Sequence, residues 1–282
     1  EPALETSFGN AGLIAPGHSY AWTTPKLPGN LFKSLFEKKR AFRFKFQWDP
    51  AMWYWGIQFL RQCTHKNMEV NTLRKHRLSI YSQKCFHQLV DETHISYHEN
   101  KNGLVYFFRT QESFQEGSQK LAILNSVMKN LQLLNRTELF QLEPALSRSQ
   151  TEIYGGIYSP TDESGSCRDF TLELVKICMG KGASFHYNTT ILNIEKDKNS
   201  INKIYTDKGD FQADKYVLAC AAFSPFIARM VGEYLPIYPV KGYSMTLPIL
   251  DQKKVPKHSG IDEDNLLAFS LLGDKIRFTS VA

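Results

Sequence analysis

The sequence predicts a two-domain protein of mixed α/β architecture, and three observations predict it. The chain has 282 residues, 42% hydrophobic and 13% aromatic, which suits about two domains of ~150 residues each around a substantial core. Helical apolar periods are interleaved with short apolar runs bounded by Gly, Pro, Asn and Asp. Near the C-terminal end, residues 237–249 and 266–280 alternate apolar and polar side chains, as half-exposed antiparallel strands do.

The elements follow in order. Residues 1–28 are rich in Gly, Pro, Ser and Thr without a sustained period, and read as one long, specifically shaped loop. The run DPAMWYWGIQFLRQC (49–63) opens on an Asp-Pro start signal and carries an apolar helical set, and residues 71–93 form a second helix through Leu73, Leu78, Tyr81, Phe86 and Leu89. GLVYFFR (103–109) is a strand, 111–129 a polar helix, LQLLN a short strand, and 137–142 a helix with the capping signature T-E-L-F-Q. Strands are then expected at 154–160 and 184–187, flanking a helix at 169–179. Residues 190–196 and 203–206 pair around KDKNS, Gly209 supplies a turn, and residues 215–221 form a nearly continuous apolar strand of the kind buried on both faces.

Composition limits function. Apolar runs such as ILNI and YVLACAAF fall far short of the ~20 residues of a spanning helix. Cys63, Cys85, Cys167, Cys178 and Cys220 are odd in number and form no CxxC, against a disulfide framework or a zinc site, so a reducing compartment and no metal are expected. The formal charge of +6 bears on association and solubility more than on chemistry.

The segment SFGNAGLIAPG places Gly9, Gly12 and Gly17 among Ser7, Asn10 and Ala11, so its backbone can approach a ligand closely and point amides at it. Taken alone it reads as an ordinary structural loop. Together with YPVKGYS (238–244), DPAMWYWGIQFLRQC, GIYSPTDESGSCRDF, YVLACAAFSP and LLGDKIRF in the same order, it resembles the D-amino acid dehydrogenase small-subunit family, within the glycine oxidase and D-amino acid oxidase superfamily of flavoproteins. The resemblance covers nearly the whole chain. Both chain ends read as cut, so the expectation is an internal fragment, with the Rossmann-like FAD domain divided as residues 1–45 and 146–235 and the substrate domain as 46–145 and 236–282.

What the resemblance implies is non-covalent FAD and oxidation of a D-amino acid to an imine, which water converts to a 2-oxo acid and ammonia. The hydride passes from the substrate α-carbon to flavin N5, and electrons go on to a quinone or other respiratory acceptor. Carried over by position, Thr6, Ser7, Asn10, Ala11, Gly12 and Leu13 line the flavin, Thr190 and Ile191 lie near the adenosine, and Ala219 and Ala221 near the pyrophosphate. Relatives carry Gly where Ala221 stands, so a backbone that needs positive φ there weakens cofactor binding. Tyr243 lies on the strand that opens the substrate sheet. Lys275 and Arg277, two apart on the last strand, share a face and suit the substrate carboxylate; Arg168 is a poorer candidate, reading as a surface charge near a helix start.

Gly180-Lys181-Gly182 mimics a dinucleotide fingerprint but follows a helix, so it reads as a helix C-cap. His94 and His98 share i, i+4 spacing without the Glu of a zinc helix. The basic and aromatic run Leu31 to Trp48 reads first as an amphipathic segment packing Phe on the core. The alternative is peripheral contact with anionic lipid, which fits a cytoplasmic protein on the bacterial inner membrane; nucleic acid has no accompanying motif. Two competing readings accompany the dehydrogenase: an oxygen-using amine oxidase of the glycine or sarcosine type, and a catalytically inactive remnant or membrane-surface protein.

Overall fold

The computed structural model describes residues 1–29, 48–198 and 200–281. Along them run α1 (Thr6–Gly9), β1 (Leu13–Ile14), α2 (Pro50–Arg61), α3 (His65–Thr93), β2 (Leu104–Phe108), α4 (Gln111–Asn125), β3 (Gln132–Asn135), α5 (Arg136–Leu142), β4 (Gly155–Ser159), β5 (Glu163–Ser164), α6 (Cys167–Gly180), β6 (Ile191–Lys196), β7 (Ile201–Thr206), β8 (Gly209–Phe211), α7 (Ser224–Met230), β9 (Gly242–Pro248), β10 (Ser259–Asp262), β11 (Leu267–Leu272) and β12 (Lys275–Val281). They fall into two compact units, a larger one of residues 2–29, 59–177 and 241–281 and a smaller one of residues 48–58 and 178–240.

The larger unit is built on a seven-stranded sheet ordered β3-β4-β2-β10-β11-β12-β9. Its pairs are antiparallel except β2 with β10. Strand β2 (LVYFF) is buried along its whole length. Because side chains alternate between faces, Leu104, Tyr106 and Phe108 enter one core with Leu121 and Leu124 of α4, while Val105 and Phe107 enter a second with Leu139 of α5 and Phe269 of β11. Each such side chain contributes about 1.5–3 kcal/mol of burial.

Local chemistry sets the helix ends. The Thr64 hydroxyl accepts from Asn67 N at the start of α3, and His94, in the left-handed region at φ 55°, closes it. The α5 cap is Asn135, reciprocated by Glu138, so the helix begins one residue before the expected 137. At the end of α6, Gly182 takes φ +90° and its N–H donates to Met179 O, the C-cap the sequence predicts.

In the smaller unit β6, β7 and β8 make an antiparallel sheet, as the KDKNS turn and Gly209 predict. Two expected strands are absent. Residues 184–187 have no strand partner; instead Phe185 stacks on Tyr187 at 5.8 Å and His186 meets Phe211 edge-on at 4.7 Å. Residues 215–220 are also not a strand, and Val217 is 89% exposed. The apolar pattern was right for a buried strand, but a strand needs neighbours to take its N–H and C=O groups, and no described residue pairs there. The 237–249 strand begins only at Gly242. No helix among the described residues is long and apolar enough to cross a membrane.

Candidate flavin loop and guanidinium cluster

The N-terminal segment is fixed from both sides within the larger unit. Asn10 Oδ1 accepts from Gly12 N at 2.9 Å, turning the chain. Gly12 then takes φ +63°, and Gly165 N donates to its carbonyl at 2.9 Å before Leu13 and Ile14 pair with Ser164 and Glu163. A Cβ at Gly12 would lie 2.0 Å from the Gly165 carbonyl oxygen. The glycine is therefore demanded by the approach of another backbone as well as by its φ.

Behind this strand pair stands a buried polar wall. Gly17 N donates to both oxygens of Asp162, at 2.9 and 3.1 Å, and the Tyr106 hydroxyl donates to Asp162 Oδ2 at 2.5 Å. His18 stacks on Tyr106 at 4.7 Å and reaches Glu263 Oε1 at 2.6 Å. Burial raises the Asp162 carboxyl and, with the Asp162 charge, lifts the Tyr106 phenol well above its usual value. Burial would raise Glu263 too, but the adjoining His18 overcomes it and holds that carboxyl low. From α3, His76 Nδ1 donates to Pro16 O at 3.1 Å and Thr72 Oγ1 accepts from Ala21 N at 3.1 Å.

In front stands the edge of the seven-stranded sheet. Arg277 is 9% exposed; its Nε donates to Thr246 Oγ1 at 3.0 Å, across the β9–β12 pair, and its Nη1 donates to Asn10 O at 3.2 Å. Burial lowers the Arg277 pKa and nearby Arg168 lowers it further, against the opposing pull of Asp169. Two hydroxyls on the same sheet face, Ser270 Oγ and Thr279 Oγ1, are buried without a partner. Ser244, also on this face, lies so close that a Cβ at Gly9 would be 2.9 Å from its Oγ.

The cluster is completed by the first turn of α6. Ser166 Oγ accepts from Asp169 N at 3.2 Å, capping the helix. The Arg168 guanidinium lies 5.6 Å from the centre of the half-exposed Phe8 ring on α1, in cation–π range. Its Nε is buried with no hydrogen-bond partner.

The structure thus brings Asn10 to Arg277 and Gly12 to Gly165, with Ala11, Gly12 and Leu13 half-buried, Ser7 half-buried and Thr6 exposed. Lys275 shares the Arg277 face but is exposed at the strand end. Tyr243 does not join them: it pairs with Ser280, on the face of Phe278 and the second core, with Lys241 Nζ 5.0 Å from its ring centre. In the smaller unit, Thr190 N donates to Asp207 Oδ1 at 2.8 Å, Ile191 opens β6, Ala219 is exposed, and Ala221 sits at φ +44°. The run 31–47 lies outside the described residues, and exposed Trp48 is its described end. Among the described residues no group of His, Cys, Asp and Glu could hold a metal ion.

Arg168 stands near a helix start as the sequence predicts, with its side chain 38% exposed and its Nε buried, while the Asp162 wall was not foreseen. The only signal for the wall was membership of the run GIYSPTDESGSCRDF.

The geometry suits a cofactor loop: a short, half-exposed stretch whose backbone is immobilised from behind while positive charge gathers in front. Comparison with known proteins gives the family. The model of the DAO family, described as FAD dependent oxidoreductase, matches residues 1–279. The chain is 36% identical over 282 residues to a D-amino acid dehydrogenase of Paramagnetospirillum magneticum, covering 99% of this chain and 66% of that protein. It is 36% identical over 281 residues to one of Granulibacter bethesdensis, covering 100% and 67%. The chain therefore spans about two thirds of the length of these relatives. Among solved structures, glycine oxidase from Geobacillus kaustophilus superposes with a TM-score of 0.66 at 17% identity over 98% of this chain and 62% of its own. An L-alpha-glycerophosphate oxidase from Mycoplasma pneumoniae, solved with FAD bound, gives 0.63 at 13% identity, covering 99% and 62%. With a family model that matches residues 1–279 and relatives 36% identical along the whole chain, the chain belongs to the DAO family of FAD-dependent oxidoreductases.

Proposed function

We propose that the protein oxidises D-amino acids, with FAD as the hydride acceptor. The α-carbon loses a hydride and the amine a proton, giving an imine that water converts to a 2-oxo acid and ammonia. The observation that carries this reading is the Thr6–Leu13 loop, fixed against Gly165 behind and Arg277 in front, in a chain that matches D-amino acid dehydrogenases along its length.

On this reading Thr6, Ser7, Asn10, Ala11, Gly12 and Leu13 line the flavin, and Thr190, Ile191, Ala219 and Ala221 serve the rest of the cofactor. Residues 1–45 and 146–235 are the cofactor part, 46–145 and 236–282 the substrate part. FAD supplies the electron-accepting ring; the chain's own residues orient what reacts with it. An amine that arrives unprotonated needs no strong base, so rate depends on holding the α-carbon in line, and a carboxylate anchored by cations provides that hold. Arg277 supplies buried positive charge beside the loop, and Lys275 adds to the field from the same face. Tyr243 serves the substrate sheet from its other face. Electrons leave to a quinone-type respiratory acceptor, which is supported by the relatives' being named dehydrogenases. The basic and aromatic residues between 31 and 48 then have a use as a contact with the inner membrane.

The test is anaerobic mixing of the purified FAD-loaded protein with a panel of D-amino acids and their L-enantiomers. Bleaching of the oxidised flavin by D- but not L-substrates, with little peroxide per turnover in air, is the expected result. Stoichiometric peroxide would make it an oxidase, and no bleaching by any D-amino acid would overturn the reading.

A further inference from the structure

Four consecutive residues, Asp162 to Gly165, take hold of residues 12–17. Gly165 N donates to Gly12 O, Ser164 and Glu163 pair with Leu13 and Ile14, and Asp162 receives the Gly17 N–H on both oxygens. The first three contacts are made by backbone, but β1 and β5 are two residues each, too short a ladder to hold its register alone. The fourth depends on a side chain. Asp162 is 1% exposed and stands against Tyr106 of the first core. Hydrogen bonds satisfy it, not an ion pair, since His18 acts on it only as a neighbouring charge. Such a group is costly to bury, and apolar replacements of buried charges are often neutral or stabilising for a fold. The loop exit explains why a carboxylate stands there. An ionised carboxylate accepts on both oxygens, so it receives Gly17 N at 2.9 and 3.1 Å while Oδ2 also takes the Tyr106 hydroxyl at 2.5 Å. Gly17 is fitted to the same group: a Cβ there would lie 2.6 Å from Asp162 Oδ2 and 2.4 Å from Ser159 Oγ.

We propose that Asp162 is a positioning residue for the flavin, one that fixes the exit of the Thr6–Leu13 loop through Gly17 and keeps the loop in the arrangement that receives the cofactor. This deepens the proposed function and rests on its placing of FAD against that loop. With Asp162 lost, the loop keeps the short β1–β5 pair and the bond from Arg277 Nη1 to Asn10 O. It then samples other arrangements, and the apparent affinity for FAD falls by the fraction of molecules still competent.

The experiment uses the FAD-loaded protein and three variants, Asp162→Asn, Tyr106→Phe and Glu143→Gln. Glu143 is a buried carboxylate of the same unit whose bonds go to Ala145, Lys257 and His258 and not to the loop, so its variant reports what the loss of a buried acid does to the fold alone. The FAD dissociation constant and the visible circular dichroism of the bound flavin are measured well below the melting temperature of every variant. Asp162→Asn sets one acceptor oxygen against two donors and is expected to weaken FAD binding about tenfold, leaving roughly a tenth of the molecules competent, and to alter the flavin dichroism. Tyr106→Phe removes one donor and keeps the bidentate hold on Gly17, so a loss of about threefold is expected. Glu143→Gln should lower the melting temperature and leave both flavin readouts unchanged. An Asp162→Asn protein with the parent's FAD affinity and dichroism overturns the proposal. So does an equal loss of affinity in Glu143→Gln, which would make the effect one of general stability. If the parent binds FAD but no D-amino acid bleaches it, the reading of function fails while the role of Asp162 is still decided by the FAD-binding data.

Discussion

Strand β2 and residues 215–220 are both nearly continuous apolar stretches, and the molecule treats them in opposite ways. Leu104 to Phe108 are each 5% exposed or less, held between β4 and β10 with a core on either face. Val217 is 89% and Leu218 40% exposed, with no described strand beside them. The contrast extends to the units: the larger holds both core clusters, whereas the buried apolar side chains of the smaller are Met52, Ile194, Pro225 and Ala228 among the described residues. Burial is a property of a run together with its neighbours, because the backbone must be hydrogen-bonded before the side chains can leave water.

The comparison predicts that a small substitution is costly in the larger unit and mild in the smaller. Gly12→Ala forces a Cβ to within 2.0 Å of the Gly165 oxygen at φ +63°. Left-handed strain of ~1–2 kcal/mol adds to the displacement of the β1–β5 strand pair, and a loss of about 3 kcal/mol or more is expected by denaturant unfolding. Gly182→Ala in the smaller unit meets nothing within 4 Å, at φ +90°. It should cost only the strain, about 1 kcal/mol. Equal losses would break the comparison.

A second difference is electrostatic. Glu143, 1% exposed, accepts from Lys257 N, His258 N, His258 Nδ1 and Ala145 N at 2.7, 2.9, 2.9 and 3.2 Å. Burial alone would raise this carboxyl, but those hydrogen bonds outweigh it and lower the pKa below the ordinary glutamate value. A depressed folded pKa means that the stabilisation is complete above the unfolded value of about 4.3 and is lost as pH falls through the folded one. Glu143→Gln sets an amide N–H₂ against these donors and should cost about 2 kcal/mol at pH 7. The gap from the parent should close as acid is added below about pH 4.3. A gap independent of pH would show that the site works through shape alone.

How much of this was legible follows from where each signal lives. Helical periods are local, so α4 and α6 were readable to within a few residues and α3 to its C-terminal end, its start lying six residues earlier than expected, and the β6–β7 turn was announced by KDKNS. The short, polar β10, Ser-Gly-Ile-Asp, has no period of its own and is a strand because β2 and β11 flank it. The need for glycine at 12 arises from Gly165, far along the chain, and the face of Tyr243 is set by its register with Ser280. The candidate loop was visible as composition and as family likeness; the state of its two arginines depends on Thr246, Asn10 and Phe8, which no motif joins.

The smallest expected effect sharpens the comparison from the exposed side. Ala221 follows the apolar run at φ +44°, an exposed non-glycine residue in the left-handed region at the start of a 3₁₀ turn. That conformation costs an L-residue ~1–2 kcal/mol, whereas glycine pays ~0.5–1 kcal/mol in lost unfolded-state freedom. Ala221→Gly should therefore stabilise the protein by about 0.5 kcal/mol, a rise of a degree or two in Tm at this size. With the side chain exposed, no packing is removed that could offset the relief. Destabilisation by ~1 kcal/mol, the usual cost of glycine, would mean that the backbone there is not left-handed and that the strain belongs to neither unit.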